Sequence, residues 1–102
     1  MRPLARALGR ALAALGLEGD VARAEAVRAW GEAASRVIGS DAARTTALRM
    51  DDGTLVVAVP TVQWATEIRL RERELVAEVA SRAPRSGITK IRPVPASRPS
   101  RT

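Results

Sequence analysis

A chain of 102 residues has room for one small domain with a real core and little besides. It contains no cysteine and no histidine, which excludes disulfides, thiolate chemistry, zinc sites built on those residues and imidazole acid/base catalysis. The formal charge of +6 sits at one end: residues 1–80 hold eleven arginines and eleven carboxylates, whereas Arg82, Arg85, Lys90, Arg92, Arg98 and Arg101 stand in a segment without an acidic residue. Such a localised basic end is the footprint of phosphate-backbone contact, which is independent of sequence and sensitive to salt. A competing reading is a compositional bias toward arginine, which outnumbers lysine sixteen to one.

From Pro3 to Leu15, Leu4, Leu8, Leu12 and Leu15 recur at the period of a helix with one buried stripe, and Arg2, Arg6 and Arg10 form a second stripe nearly opposite. That arrangement fits a solvated back face, or a basic helix lying on DNA, a membrane surface or a partner. Ala11 to Leu17 is the longest apolar run near the N-terminus, too short for a membrane span; neither a transmembrane segment nor a signal peptide is expected. Gly16-Leu17-Glu18-Gly19 has the form of a GxxG backbone clamp, but Glu18 would place a carboxylate at the phosphate, and a helix C-cap accounts for Gly16.

Asp20 is placed to cap a second helix running to about Ile38, with Ala24, Val27, Trp30, Ala34, Val37 and Ile38 on its core face and Gly39 as its stop. Thr46 to Asp51 and Leu55 to Val59 then form a hairpin about an Asp52-Gly53 turn. This turn pairs Met50 with Leu55, Leu48 with Val57 and Thr46 with Val59 on a core face. The other face takes Arg49 with Val56 and Ala47 with Ala58, and is expected to be partly wet. Pro60 ends the strand and Thr61 caps a single long helix to about Arg82, where Pro84 forbids continuation. Trp64, Ala65, Ile68, Leu75, Val76 and Val79 make its apolar stripe; Arg69, Arg71 and Arg73 alternate with Glu72 and Glu74 on a solvated face. Ile88 to Arg92 is a short third strand ending at Pro93, although Ile88 and Ile91 cannot share one strand face without a bulge. Val94 onward reads as a flexible basic tail.

The expected architecture is therefore α+β: two N-terminal helices, a β-hairpin, a long helix and a short third strand, with residues 1–93 as one domain. The chain carries no phosphate loop, dinucleotide fingerprint or zinc signature, and no histidine to activate a serine or threonine. Asp51 and Asp52 are explained by the turn. What remains is binding, not catalysis, and no cofactor or small-molecule substrate is expected.

Trp30 followed by Val37-Ile38-Gly39, then Asp52-Gly53-Thr54-Leu55-Val56-Val57, then Thr61, Trp64, Ala65, Glu67 and Ile68, resembles the DciA family of bacterial proteins that recruit or load the replicative DNA helicase. The likeness covers about residues 25–93. One departure is Arg44-Thr45-Thr46-Ala47, which has neither the His nor the Pro of the family's segment entering the first strand. The resemblance implies a KH-like small sheet covered by helices on one face, contact with a DnaB-type helicase, affinity for DNA, and a cytoplasmic, nucleoid-associated place of work. Arg82, Arg85, Lys90, Arg92, Arg98 and Arg101 are the candidate DNA contacts, through phosphates; Trp64, Arg69 and Arg71 are the candidate partner contacts. The alternative is a nucleic-acid-binding module that acts without a helicase, for which both tryptophans on apolar stripes and the absence of Phe and Tyr leave few stacking platforms.

Overall fold

The computed structural model describes residues 18–96. The leucine-striped segment 3–15 with Arg2, Arg6 and Arg10, the residues Gly16 and Leu17, and Arg98 and Arg101 lie outside the described residues. Within them the order is α1 (Glu18–Val37), a 3-10 turn (Ser40–Arg44), β1 (Thr46–Asp51), β2 (Thr54–Val59), α2 (Val62–Leu70), α3 (Glu72–Arg82) and β3 (Lys90–Pro95). The chain is α+β, with three helices and a mixed three-stranded sheet ordered β1-β2-β3 among the described residues. The β1–β2 pair is antiparallel and the β2–β3 pair parallel.

Helix α1 already includes Glu18 and Gly19, so Asp20 lies within the helix instead of capping it, and its carboxylate binds Arg23. Its buried face is also shifted: Ala26, Ala33 and Ala34 are fully buried beside Trp30, while Val27 and Val37 only flank the core. Alanines along this face let α1 lie close against α3, since side-chain size at the contact sets interaxial distance. Gly39, at φ 124, ends the element as its position requires.

The hairpin turn is as the sequence dictates. Asp52 (φ 49) and Gly53 (φ 83) both occupy the positive-φ region, the signature of a type I′ turn whose twist matches its strands. The register beyond it departs from simple alternation. Arg49 pairs with Val56 and Met50 with Leu55, but the register then slips, so that Ala47 faces Val57 and Thr46 faces Ala58. Leu48 is the extra residue of this β-bulge and is 47% exposed, not a core partner of Val57. The outer face of β2 is not wet either, because Val56 and Ala58 are buried along with Leu55, Val57 and Val59.

The expected long helix is two. Arg71, at φ −110 and ψ 17, leaves helical geometry and separates α2 from α3. No Gly or Pro causes the break; the two halves serve different partners, α2 packing on β2 and β3 while α3 packs chiefly on α1. Ile68 from α2 and Leu75 and Val79 from α3 still meet in one core with Trp30, Leu55, Val57 and Ile91.

The third strand starts at Lys90 and runs through Pro93 to Pro95, further than proline was expected to allow. The reason lies in its edge position. Lys90 and Ala96 donate their N–H groups to Gly53 and Val59 of the neighbouring segment, so the backbone nitrogens of the alternate residues Ile91, Pro93 and Pro95 point to the outer edge of the sheet. Proline has no N–H to leave unpaired there, and the Ile91 N–H donates to Glu72 Oε2 at 2.9 Å. The outer edge of β3 therefore offers no free donor for another strand. Ile88 precedes the strand and joins Ile91 in the core from the loop, which resolves the spacing conflict between the two.

The turn and β3 are tied together: the Gly53 carbonyl accepts from the N–H groups of Thr89 (2.8 Å) and Lys90 (3.2 Å). A Cβ on Gly53 would stand 3.0 Å from Thr89 Oγ1 and 3.3 Å from the Gly87 carbonyl oxygen, on a backbone at φ 83. Gly53→Ala is expected to lower stability by about 1–3 kcal/mol, read as a shift of the urea midpoint. A midpoint unchanged from the parent chain would refute the strained geometry.

Candidate functional site

Two surfaces carry the residues singled out in the sequence. The first is built on α2. Thr61 caps this helix by accepting the Trp64 N–H at 3.2 Å, which fixes Trp64 in the first turn. The indole is half-buried, packing on the core at one side and lining an open groove of about 520 Å³ at the other. Ile38, Gly39 and Asp41 form one wall of the groove, and Gln63, Trp64 and Glu67 the other. Away from the core, Val62 and Leu70 are 79% and 77% exposed, with exposed Arg69 beside Leu70. Sequence periodicity passed over these two side chains; the signal was present in their position off the Trp64–Ile68 stripe. Arg71 is engaged: its side chain donates to the Glu67 carboxylate, and that hydrogen bond, followed by the charge of Glu67, holds the guanidinium above its ordinary value.

The second surface is the basic end. Arg82 is not free there, because its guanidinium reaches Glu32 at 3.1 Å and Glu78 at 3.2 Å, and Arg36 approaches Glu78 at 3.6 Å. The Arg82–Glu32 and Arg36–Glu78 pairs tie α1 to α3, while Arg82–Glu78 lies within α3; each contributes a few tenths to about 1 kcal/mol. Arg85, Lys90 and Arg92, by contrast, are exposed and make no ion pair among the described residues. Arg85 lies in the turn after α3, and Lys90 and Arg92 lie on one face of β3. Arg69 and Arg73 are likewise without an ion-pair partner among the described residues.

Among the described residues no three acidic side chains gather as a metal-holding set, and Asp51 is paired with Arg49. No helix among them is long and apolar enough to cross a membrane.

The sequence matches the family described as "Dna[CI] antecedent, DciA" over residues 3–92. The chain belongs to the DciA family. DciA proteins form a family associated with the loading of the DnaB replicative helicase, so the replication context belongs to this chain as well. No curated protein matches it. The segment in which this DciA member departs from the family pattern now has a structural role: Thr45 is buried, and its Oγ1 accepts the Trp30 indole N–H at 2.9 Å and donates to the Ala42 carbonyl at 2.6 Å. Both tryptophans of this DciA chain are thereby accounted for, Trp30 in the interior and Trp64 at the rim of a groove.

Proposed function

We propose that this chain is a non-enzymatic accessory factor of DNA replication that binds the DnaB-type helicase and assists its recruitment or loading onto DNA. Membership of the DciA family over residues 3–92 carries this reading. Its body is a KH-like α+β domain, a description supported by the three-stranded sheet and the three described helices packed against one core. It works in the cytoplasm, at the nucleoid.

The docking face is α2. Exposed Val62 and Leu70 supply apolar contact, Arg69 supplies a cation of the type enriched at interfaces, and Trp64 offers an aromatic edge in the adjoining groove. DNA is held by phosphate contacts from Arg85, Lys90 and Arg92, joined by Arg98 and Arg101 beyond the described residues; such contacts position without reading sequence. A module acting on nucleic acid alone is the second reading, favoured by the unpaired cations. It is weakened by the aromatic inventory, with Trp30 only 2% exposed and no Phe or Tyr in the chain.

Titration calorimetry of the chain into the cognate helicase, with no nucleic acid present, tests the proposal. Direct binding with a Kd of about micromolar or tighter is expected. Absence of heat and of co-elution at such concentrations would defeat it.

A further inference from the structure

The groove beside Trp64 carries a carboxylate on each wall. Asp41 stands on one and Glu67 on the other, Ile38 and the indole supply apolar surface, and its described lining holds no cation. Arg71 engages Glu67, whereas Asp41 makes no ion pair among the described residues. A half-buried indole beside carboxylates is a setting that suits a guanidinium, which stacks on an aromatic face and pairs with an acid at once.

A basic segment of the same chain leaves the sheet at this end of the molecule. Because β3 runs parallel to β2, its last residues stand beside the end of β2: Pro95 pairs with Val59, and the Ala96 N–H donates to the Val59 carbonyl at 2.8 Å. Two residues after Val59, Thr61 caps α2 and fixes Trp64. The other wall is close by, since Thr46, which opens β1, pairs with Ala58 just after the 3-10 turn that carries Asp41. Ala96 and both walls therefore share one end of the sheet. Residues 97–101 span about 17 Å when extended. A helix is roughly 10–12 Å across, so even a path around α2 is within reach of Arg101. Residues 97–102 hold Arg98 and Arg101 and no acid. Pro99 fixes its own φ and biases Arg98 toward extended backbone, which lowers the entropy lost when the segment is laid down.

We propose that residues 97–102 lie back over the Trp64 groove, with the Arg101 guanidinium against the indole and the Asp41 and Glu67 carboxylates. The tether at Ala96 makes the contact intramolecular, and a short tether supplies an effective concentration of about millimolar, so a weak charge pair is enough to fill the groove. Seated there, the segment covers the aromatic edge beside the proposed docking face of α2 and withholds Arg101 from phosphate. The occupation of the groove depends on neither the helicase reading nor the nucleic-acid reading.

The absence of cysteine allows a single spin label to test this. Thr102→Cys carrying a nitroxide is made in the 15N-labelled full chain and observed by NMR at low ionic strength, with neither helicase nor DNA present. Paramagnetic broadening is expected to be strongest at the amides of Gly39, Ser40 and Asp41 and at the Trp64 indole N–H. It should be weak at Asp52 and Gly53, the turn at the opposite end of the β1–β2 pair. Arg101→Ala and, separately, Asp41→Asn should each reduce the broadening at Trp64 about two- to fivefold, as loss of an exposed charge pair warrants, and added NaCl should do the same. Arg101 lies outside the core cluster, so its variant also guards against misreading a folding defect in Asp41→Asn. The proposal is overturned if the groove signals broaden no more than the hairpin turn, or if both variants broaden Trp64 as much as the parent does. It is overturned too if equal broadening appears when nitroxide and 15N are carried on different chains, which would make the occupant the segment of a second copy.

Discussion

Trp30→Ala is expected to lose about 3–5 kcal/mol of stability, a large share of the roughly 5–15 kcal/mol that holds a domain together. The indole is the largest fully buried side chain, and it packs α1 onto both strands and helices of the one core. Its removal leaves a cavity that backbone-tethered neighbours cannot close. The polar end of the same ring makes a second, separable prediction. Thr45 Oγ1 accepts the indole N–H and donates its own O–H to the Ala42 carbonyl, so the 3-10 turn, α1 and the start of β1 are joined through one hydroxyl. Thr45→Val keeps the shape and removes that acceptor; it is expected to lose about 1–3 kcal/mol through the unsatisfied indole, whereas Thr45→Ser should stay near the parent. Urea denaturation of the three variants distinguishes them, and a Thr45→Val midpoint equal to the parent's would show that the hydrogen bond carries no net stability.

Replacing the exposed apolar pair on α2 is expected to have the largest effect on partner binding. Val62→Asp with Leu70→Gln removes the apolar contact from the proposed docking face while touching nothing in the core. Stability should stay within about 0.5 kcal/mol of the parent, as for surface changes in general, and an Asp at the first helical position is favoured by the helix dipole. Helicase affinity should fall by more than about tenfold if these side chains are anchors. Retention of full affinity by a folded double variant would place the helicase elsewhere on the molecule. Trp64→Ala is the less informative change, since the indole packs on the core and lines the groove at once.

Which features were legible without the structure follows from the range of the forces that set them. The Asp52-Gly53 turn, the Gly39 stop, the Thr61 cap and the end of α3 before Pro84 are decided by sterics and hydrogen bonds within a few residues. Trp30, Leu55, Val57, Ile68, Leu75 and Val79 follow from the period of burial, and each is in the core. The bulge at Leu48 escaped that reasoning because alternation assumes an unbroken ladder, and the insertion is chosen by how β1 must curve under α1. The break at Arg71 escaped it because its residues are good helix formers, and the interruption comes from two packing partners lying in different places. Pro93 ended the expected strand on a rule that holds for paired positions, yet at an outer edge no N–H is missed at 93 or 95.

The candidate sites divide in the same way. The basic end was visible as a run of cations, but only the folded chain sorts them, sending Arg82 to Glu32 and Glu78 while Arg85, Lys90 and Arg92 make no such pair. Arg73 looked like one member of a mixed helical face until β3 came alongside and brought Lys90 to line the same pocket. By itself the sequence determined the hairpin turn, the Gly39 stop, the Thr61 cap, the large residues at the centre of the core and the family, because these depend on neighbours in the chain or on patterns of residue type. The tertiary structure alone decided the parallel placement of β3, the bulge, the split helix and the partner of each charge, because all of these depend on which distant residues share the same space.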